Sequence, residues 1–427
     1  MLTLMLLVMV VFLVLGFPLM VPIIAGPLVV VKGYFSSLPF SLLLQQMISG
    51  VRLMSLIAIP LFIFAANIMT RGTTADRLIT FVVKFVGHLP GGLAIATSGA
   101  CTGFGSISGS TQATVVAIGQ PLLPRLLKFG YSSSYAMALI ICASNIALLI
   151  PPSIGMILYG VVTGNSVGEL FIAGIGPGIL ILILFSIYSY FHAKWHHIPL
   201  PEKATWKERW EATKRALPSF VFPVLIIGGI YSGTFSPNEA AGVSILYALF
   251  LEMFCYKSIK WQEIPEIALE TGVITGVVFI LLSMGAAFSW VVTFARIPNM
   301  ILPVVFGPDP SLYHTLIIIT LAYFLACMFI DNVVVIMVLT PVLYPIAMNV
   351  GIDPIALGVI VTLQAAIGAA TPPFGCNIFT AIAIFRRPYL EVVRETPVFI
   401  AILVIVSAVI MVYPEVGLFL RDLAYNK

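Results

Sequence analysis

Charge is what this sequence lacks most. Only 9% of its 427 residues are Asp, Glu, Lys or Arg, while 60% are hydrophobic. Soluble domains carry about a quarter charged residues, so this chain cannot solvate an ordinary globular surface. Its small positive excess, +4, includes no continuous basic run, which excludes a nucleic-acid footprint. Cysteine is scarce too. Cys101, Cys142, Cys255, Cys327 and Cys376 stand singly in apolar stretches without Cys-x-x-Cys spacing, as buried small hydrophobes do. No Gly-x-x-x-x-Gly-Lys-Ser/Thr occurs, so a phosphate-cradling loop is not part of the machinery. The apolar N-terminus lacks a basic leader and a small-residue cleavage site, and is expected to remain as a first helix.

What the chain has in abundance is long apolar runs. A membrane span needs about 20 such residues. Spans are expected at 2–26, 51–69, 134–162, 168–194, 217–234, 239–257, 271–293, 353–384 and 396–418. The stretches 91–128 and 312–349 fit plain spans less well. Amphipathic connectors at 71–88 and 258–270 suit helices lying in the membrane interface. The segment 195–215, "WHHIPLPEKATWKERWEATKR", holds five of the 21 Lys and Arg residues and reads as a cytoplasmic linker.

That linker splits the chain near its midpoint, and the two halves resemble each other. Pro151-Pro152 pairs with Pro372-Pro373 at an offset of 221 positions, which also pairs Gly130 with Gly351 and Ile146 with Ile367. The same offset sets Ser110-Thr111, in "GFGSISGSTQA", against Asp331-Asn332, in "CMFIDNVVVIMVLTP". A Gly- and Ser-rich break in hydrocarbon is tolerated only where it is buried in protein or lines a watery cavity, because each unpaired amide costs several kcal/mol. "GFGSISGST" and "FIDN" therefore read as tips of re-entrant hairpins. "LLIPPSIG" and "AATPPFGCN" read as helices broken midway by proline. Matched interruptions in two halves point to a transport site at the repeat interface. Packing through Gly105 and Gly109 would explain the glycines, but not Ser106, Ser108, Ser110 and Thr111.

The expected fold is an all-α polytopic integral membrane protein built from two inverted repeats. Scaffold helices and an interfacial arm occupy 1–90. The first repeat, 91–167, is followed by scaffold helices, linker and second arm at 168–311. The second repeat is 312–385, and a C-terminal helix fills 386–427. Freed carbonyls and Ser, Thr, Asn and Asp oxygens are hard donors that suit Na⁺ rather than a transition metal. Helix N-termini at the breaks offer amides to an anion. Asp331 is the most deeply embedded carboxylate, at a cost of about 2.5–3.5 kcal/mol at a helix centre, and is expected to be functional. Arg296 either faces the cavity or snorkels. Asn145 is either an ion ligand or an amide satisfied by backbone. On local chemistry alone, Glu239 is a first-turn acid behind Ser236-Pro237.

"SNIALLIPPSIGMILYGVVTGNSVGELFIAGIGPG", "GTFSPNEAAG" and the "GSISGST" hairpin resemble the large, DctM-like membrane subunit of tripartite ATP-independent periplasmic (TRAP) transporters, over essentially the whole chain. The family's usual "TPTEAA" stands here as Ser236-Pro237-Asn238-Glu239-Ala240-Ala241, a conservative departure that raises Glu239 towards a functional or gating role. The resemblance implies Na⁺-driven import of an organic acid, sialic acid or a C4-dicarboxylate, across a bacterial inner membrane by an elevator motion. It implies a separate small four-helix membrane subunit and a periplasmic substrate-binding protein as partners, with membrane lipid around them and no nucleic acid. One Na⁺ would sit among Ser106, Ser108, Gly109, Asn145 and Pro151, a second among Asp331, Asn332, Thr371 and Gly375. The solute would lie near Ser110, Thr111 and Asp331, with Ser166, Glu239 and Arg296 around it. Alternatives are a stand-alone Na⁺/carboxylate symporter and, remotely, an intramembrane serine hydrolase. The latter needs a base near a Gly-x-Ser-x-Gly serine, whereas Ile107 stands between Gly105 and Gly109.

Overall fold

A computed structural model of the chain describes residues 1–307 and 310–425. Positions 308–309, assigned above to the second scaffold segment, and 426–427, assigned to the C-terminal helix, lie outside the described residues. Among the described residues the protein is helical throughout, with no β-strand.

The first segment contributes α1 (Leu2–Val14), α2 (Met20–Tyr34), α3 (Ser41–Val51), α4 (Ala58–Arg71) and the amphipathic α5 (Thr74–Val86). The first repeat is α6 (Gly92–Ser108), α7 (Thr111–Lys128), α8 (Ser133–Ala143) with a tight turn at Ser144–Leu148, and α9 (Ile154–Thr163). Then come α10 (Val167–Trp195), α11 (Trp206–Tyr231), α12 (Pro237–Leu249), α13 (Ile264–Phe294) and a short α14 (Ile297–Ile301). The second repeat is α15 (Leu312–Cys327), α16 (Asn332–Asn349), α17 (Pro354–Ala369) and α18 (Cys376–Phe385). The chain closes with α19 (Tyr389–Val393), α20 (Thr396–Val412) and α21 (Glu415–Tyr425).

The two halves match in helix boundaries as well as in sequence. Helices α7 and α16 are both 18 residues long and begin and end at positions 221 apart. The run 133–148 likewise coincides with α17 at the same displacement. Gly130 and Gly351, paired by that offset, both follow these helices with positive φ, at 90° and 78°. Both Pro-Pro peptide bonds, 151–152 and 372–373, are cis.

Among the described residues five helices are long and apolar enough to cross a membrane singly, and the pair α20–α21, bent by 57°, makes a sixth if it is one span. The rest of the apolar surface is carried by helices of 10–17 residues, the lengths that half-spans and hairpin arms require. Three expectations change. The run 2–26 is two helices, because Gly16 takes a positive φ and Pro18 follows it. The linker is shorter than 195–215: Thr205 and Glu208 form a reciprocal capping box that starts α11 at Trp206. The region 258–270 is not a separate interfacial helix from Ile264 onward but the start of the 31-residue α13, where Glu266 and Glu270 pair with Arg71 at the end of α4.

The arm helix α5 is held at its start by a buried carboxylate. Glu252, fully buried, accepts from the Thr73 amide at 3.1 Å and from the hydroxyls of Thr74 and Ser258. It reaches them because α12 continues into a wider, π-type turn at Phe250–Cys255. Three donors to this carboxylate replace the water it would otherwise need.

Candidate functional site

The first hairpin turns over two residues. Gly109 ends α6 in the left-handed conformation, φ 60°, and Ser110 opens α7 as its N-cap, its Oγ accepting from the Ala113 amide at 3.4 Å. Ser106 and Ser108 belong to the last turn of α6 rather than to an open loop. Ser106 bonds back to the Gly103 carbonyl at 2.7 Å, and Ser108 meets the Thr114 hydroxyl at 3.1 Å. Such back-bonding is how hydroxyls are satisfied inside an apolar helix. In the second hairpin, α15 stops at Cys327 and Asp331 caps α16, its Oδ1 accepting the Val333 amide at 3.0 Å.

Each tip rests on the broken helix of its own repeat. A Cβ on Gly109 would lie 2.1 Å from the Pro152 carbonyl oxygen, and one on Gly105 would lie 2.8 Å from the Ala147 Cα. In the second repeat the close approach is made from the other side. There Gly368 of α17 would put a Cβ 2.5 Å from the Cys327 Cβ. Ala147 and Gly368 correspond at the offset of 221, so one small residue per repeat permits the same contact. The predicted partners Ser106, Ser108, Gly109, Asn145 and Pro151 are thus gathered at one locus. Thr371 and Gly375 are gathered at the other break, where the Gly375 amide bonds the Thr371 carbonyl at 3.1 Å.

The repeats are joined by a residue that sequence reasoning did not single out. Asn377, at the start of α18, accepts the Thr111 hydroxyl at 2.8 Å and donates to Asn145 Oδ1 at 2.9 Å. Both asparagines are fully buried. The signal was present: Asn377 is a lone amide in the apolar run "FGCNIF", directly behind the second Pro-Pro. Asn145 proves to be satisfied at its oxygen by a side chain rather than by backbone. Its amide nitrogen finds no partner among the described residues. Gln112, also not singled out, lies against the Asp331 carboxylate and brings the two tips together.

Between the tips and the scaffold is a cavity of about 400 Å³. Gly109, Ser110, Thr111 and Gln112 line it from the first tip, Asp331, Asn332 and Val333 from the second. The facing wall is a helical stripe of α13, Val273, Ile274, Val277, Val278 and Leu281, with Leu19 and Ile63. A polar floor under an aliphatic roof is the ordinary make-up of a small-molecule site. The serine, threonine, asparagine and aspartate oxygens fit a hard cation such as Na⁺. Among the described residues no cluster of three or more His, Cys, Asp or Glu side chains offers a transition-metal site.

Three expected solute contacts are not at this cavity. Ser166 caps α10, accepting the Glu169 amide at 3.3 Å. Glu239 closes a capping box with Ser236, whose amide it accepts at 2.7 Å, on an exposed helix start. Arg296 lies between α13 and α14 with φ 52°, beyond the stripe that faces the tips. In each case a helix start fixes the residue, and none of the three is among those that line the cavity. Thr371 and Gly375 also stand behind the second tip rather than on the cavity wall.

Comparison with known proteins covers nearly the whole chain. The family model described as "Tripartite ATP-independent periplasmic transporter, DctM component" matches residues 6–416. The chain is 55% identical over 420 residues, covering 98% of both chains, to the ectoine/5-hydroxyectoine TRAP transporter large permease protein UehC of Ruegeria pomeroyi. It is 54% identical over 415 residues, 97% of both chains, to the ectoine TRAP transporter large permease protein TeaC of Halomonas elongata. In fold it is similar to the YdaH transporter of Alcanivorax borkumensis, with a TM-score of 0.64 and 14% identity over 89% of each chain.

Proposed function

The chain belongs to the DctM component family of tripartite ATP-independent periplasmic transporters, and on that premise we propose that it imports ectoine or a closely related compact zwitterion. It is a multi-pass membrane permease and not an enzyme. Relatives at 54–55% identity that are named for ectoine support this substrate over the sialic acid or C4-dicarboxylate first expected. The observation that carries the reading is the cavity itself: about 400 Å³, roofed by valines and isoleucine, with one carboxylate in its floor. A small ring bearing one carboxylate and one delocalised positive charge matches that size and polarity.

Uptake is Na⁺-coupled in this reading. Ser106, Ser108, Gly109, Asn145 and Pro151 contribute to one ion site, and Asp331, Asn332, Thr371 and Gly375 to a second. Each net positive charge entering across about 100 mV supplies about 2.3 kcal/mol, so no nucleotide is needed. The hairpins and broken helices of 91–167 and 312–385 travel as one body against the scaffold formed by 1–90, 168–311 and 386–427, an elevator motion in a bacterial inner membrane. The bridge Thr111–Asn377–Asn145 supports moving both repeats together. A small membrane subunit and a periplasmic binding protein complete the assembly.

The test is uptake of labelled ectoine into proteoliposomes holding the permease and its small subunit, with the binding protein outside and a sodium gradient imposed. Accumulation that needs inward Na⁺ and all three components is expected. Uptake by the permease alone would favour the self-sufficient symporter. A preference for sialic acid or succinate would overturn the substrate.

A further inference from the structure

The cavity's charge is one-sided. Among the described residues that line it, Asp331 is the only ionisable one, and none is a lysine or an arginine. A solute of purely negative charge would meet a carboxylate on the floor and aliphatic side chains on the roof, with no cationic side chain to offset either. A buried charge without a partner is strongly disfavoured. The same floor carries a second feature. The first-turn amides of α7, at Thr111 and Gln112, point out of the helix start and have no intrahelical acceptor. They can take one carboxylate but supply only about half a unit of positive charge.

We infer that Asp331 is the counter-ion for the positively charged end of the transported solute, and that it makes the cavity select zwitterions over anions of the same shape. This inference rests on the proposed transport of a compact zwitterion through this cavity. The carboxylate is held ready for the task. As N-cap of α16 it accepts the Val333 amide at 3.0 Å, and Gln112 from the opposite tip lies against it. Its orientation is therefore set before the solute arrives, so little ordering cost remains. The solute's carboxylate faces the start of α7, its cationic group faces Asp331, and its apolar edge lies on Val273 and Val277 of α13. Asp331 on this view reads the solute and does more than hold an ion.

The test compares binding of ectoine with that of cyclohexanecarboxylate, a ring carboxylate without positive charge. Both are titrated onto the purified full-length chain in nanodiscs, with the Na⁺ titration read separately in the absence of solute. The wild type is expected to bind ectoine at least about tenfold more tightly than cyclohexanecarboxylate, and Asp331→Asn to lose that preference. Asp331→Glu should keep it. If Asp331→Asn is not folded, Val277→Arg serves instead and should turn the preference towards cyclohexanecarboxylate. An Asp331→Asn protein that still ranks ectoine first, and changes only in its Na⁺ titration, overturns the inference and leaves Asp331 as an ion ligand. Equal binding of the two rings by the wild type overturns it as well. Should the wild type bind no ectoine, the proposed substrate fails. A preference for pipecolate over cyclohexanecarboxylate that Asp331→Asn abolishes then still upholds the counter-ion role, and its absence overturns it.

Discussion

Asn377 of the second repeat donates to Asn145 of the first at 2.9 Å, across 232 positions of sequence, and accepts the Thr111 hydroxyl on its other side. Three of the four interruptions in the fold are thereby pinned together by one amide. The bond lies where no water can substitute for it, since both asparagines are fully buried. A buried group left without its partner costs about 1–3 kcal/mol. Asn377→Ala strands two groups, the Thr111 hydroxyl and the Asn145 oxygen, so it should lower the melting temperature in detergent and reduce Na⁺-driven uptake about tenfold or more. Unchanged melting and uptake would show that the repeats are coupled elsewhere.

Gly109 sets the turn of the first tip and its distance from the broken helix. Its φ of 60° is costly for any residue with a Cβ, by about 1–2 kcal/mol. A Cβ there would also stand 2.1 Å from the Pro152 carbonyl oxygen, which belongs to backbone and cannot rotate aside. Gly109→Ala should therefore displace Ser110 and Thr111 from the cavity floor and abolish uptake, while Gly103→Ala, with only ordinary contacts at 3.9 Å or more, should transport normally. Parallel uptake measurements on the two variants decide it.

How much of this was legible in the sequence follows from what each feature depends on. The hairpin tips and breaks could be read because glycine, proline and hydroxyl side chains are out of place in hydrocarbon whatever surrounds them. The offset that pairs Ser110-Thr111 with Asp331-Asn332 became the pairing of α7 with α16. The roof of the cavity could not be read. Val273 and Val277 resemble every other valine on α13 until the fold turns that stripe towards the tips. Asn377 was visible as a polar residue, but its partners lie 232 and 266 positions away. Arg296 and Glu239 were drawn towards the site by charge and by motif. Local geometry claims both instead: a left-handed residue between two helices and a capping box.

That placement makes a prediction for Arg296. It stands outside the cavity wall, so removing its charge should not cost the solute a contact. Its φ of 52° is one that glycine adopts freely. Arg296→Ala should retain near-normal uptake at limiting solute, and Arg296→Gly should do the same with equal or higher thermal stability. A loss of affinity of about tenfold in both would bring the guanidinium back into the transport path.

Glu252 and Gly72 make the last prediction, because they occupy one space. A Cβ on Gly72 would lie 2.1 Å from the Glu252 Cδ and 2.2 Å from its Oε2. Carboxylates at the end of a flexible side chain usually step aside, but this one is bound by Thr73, Thr74 and Ser258 and is fully buried. Glu252→Ala should destabilise the permease by about 3–5 kcal/mol, since several donors lose their acceptor together. Gly72→Ala should also destabilise it, by forcing the carboxylate off those donors. Once Glu252 is gone the added methyl has nothing to displace. The Glu252→Ala/Gly72→Ala double variant should then be no less stable than Glu252→Ala alone, a coupling of at least about 1 kcal/mol in a double-mutant cycle. Strictly additive losses in chemical denaturation would mean that the two residues act on the arm independently. Coupled losses, with uptake falling in step, would identify this carboxylate as the anchor that fixes the start of α5.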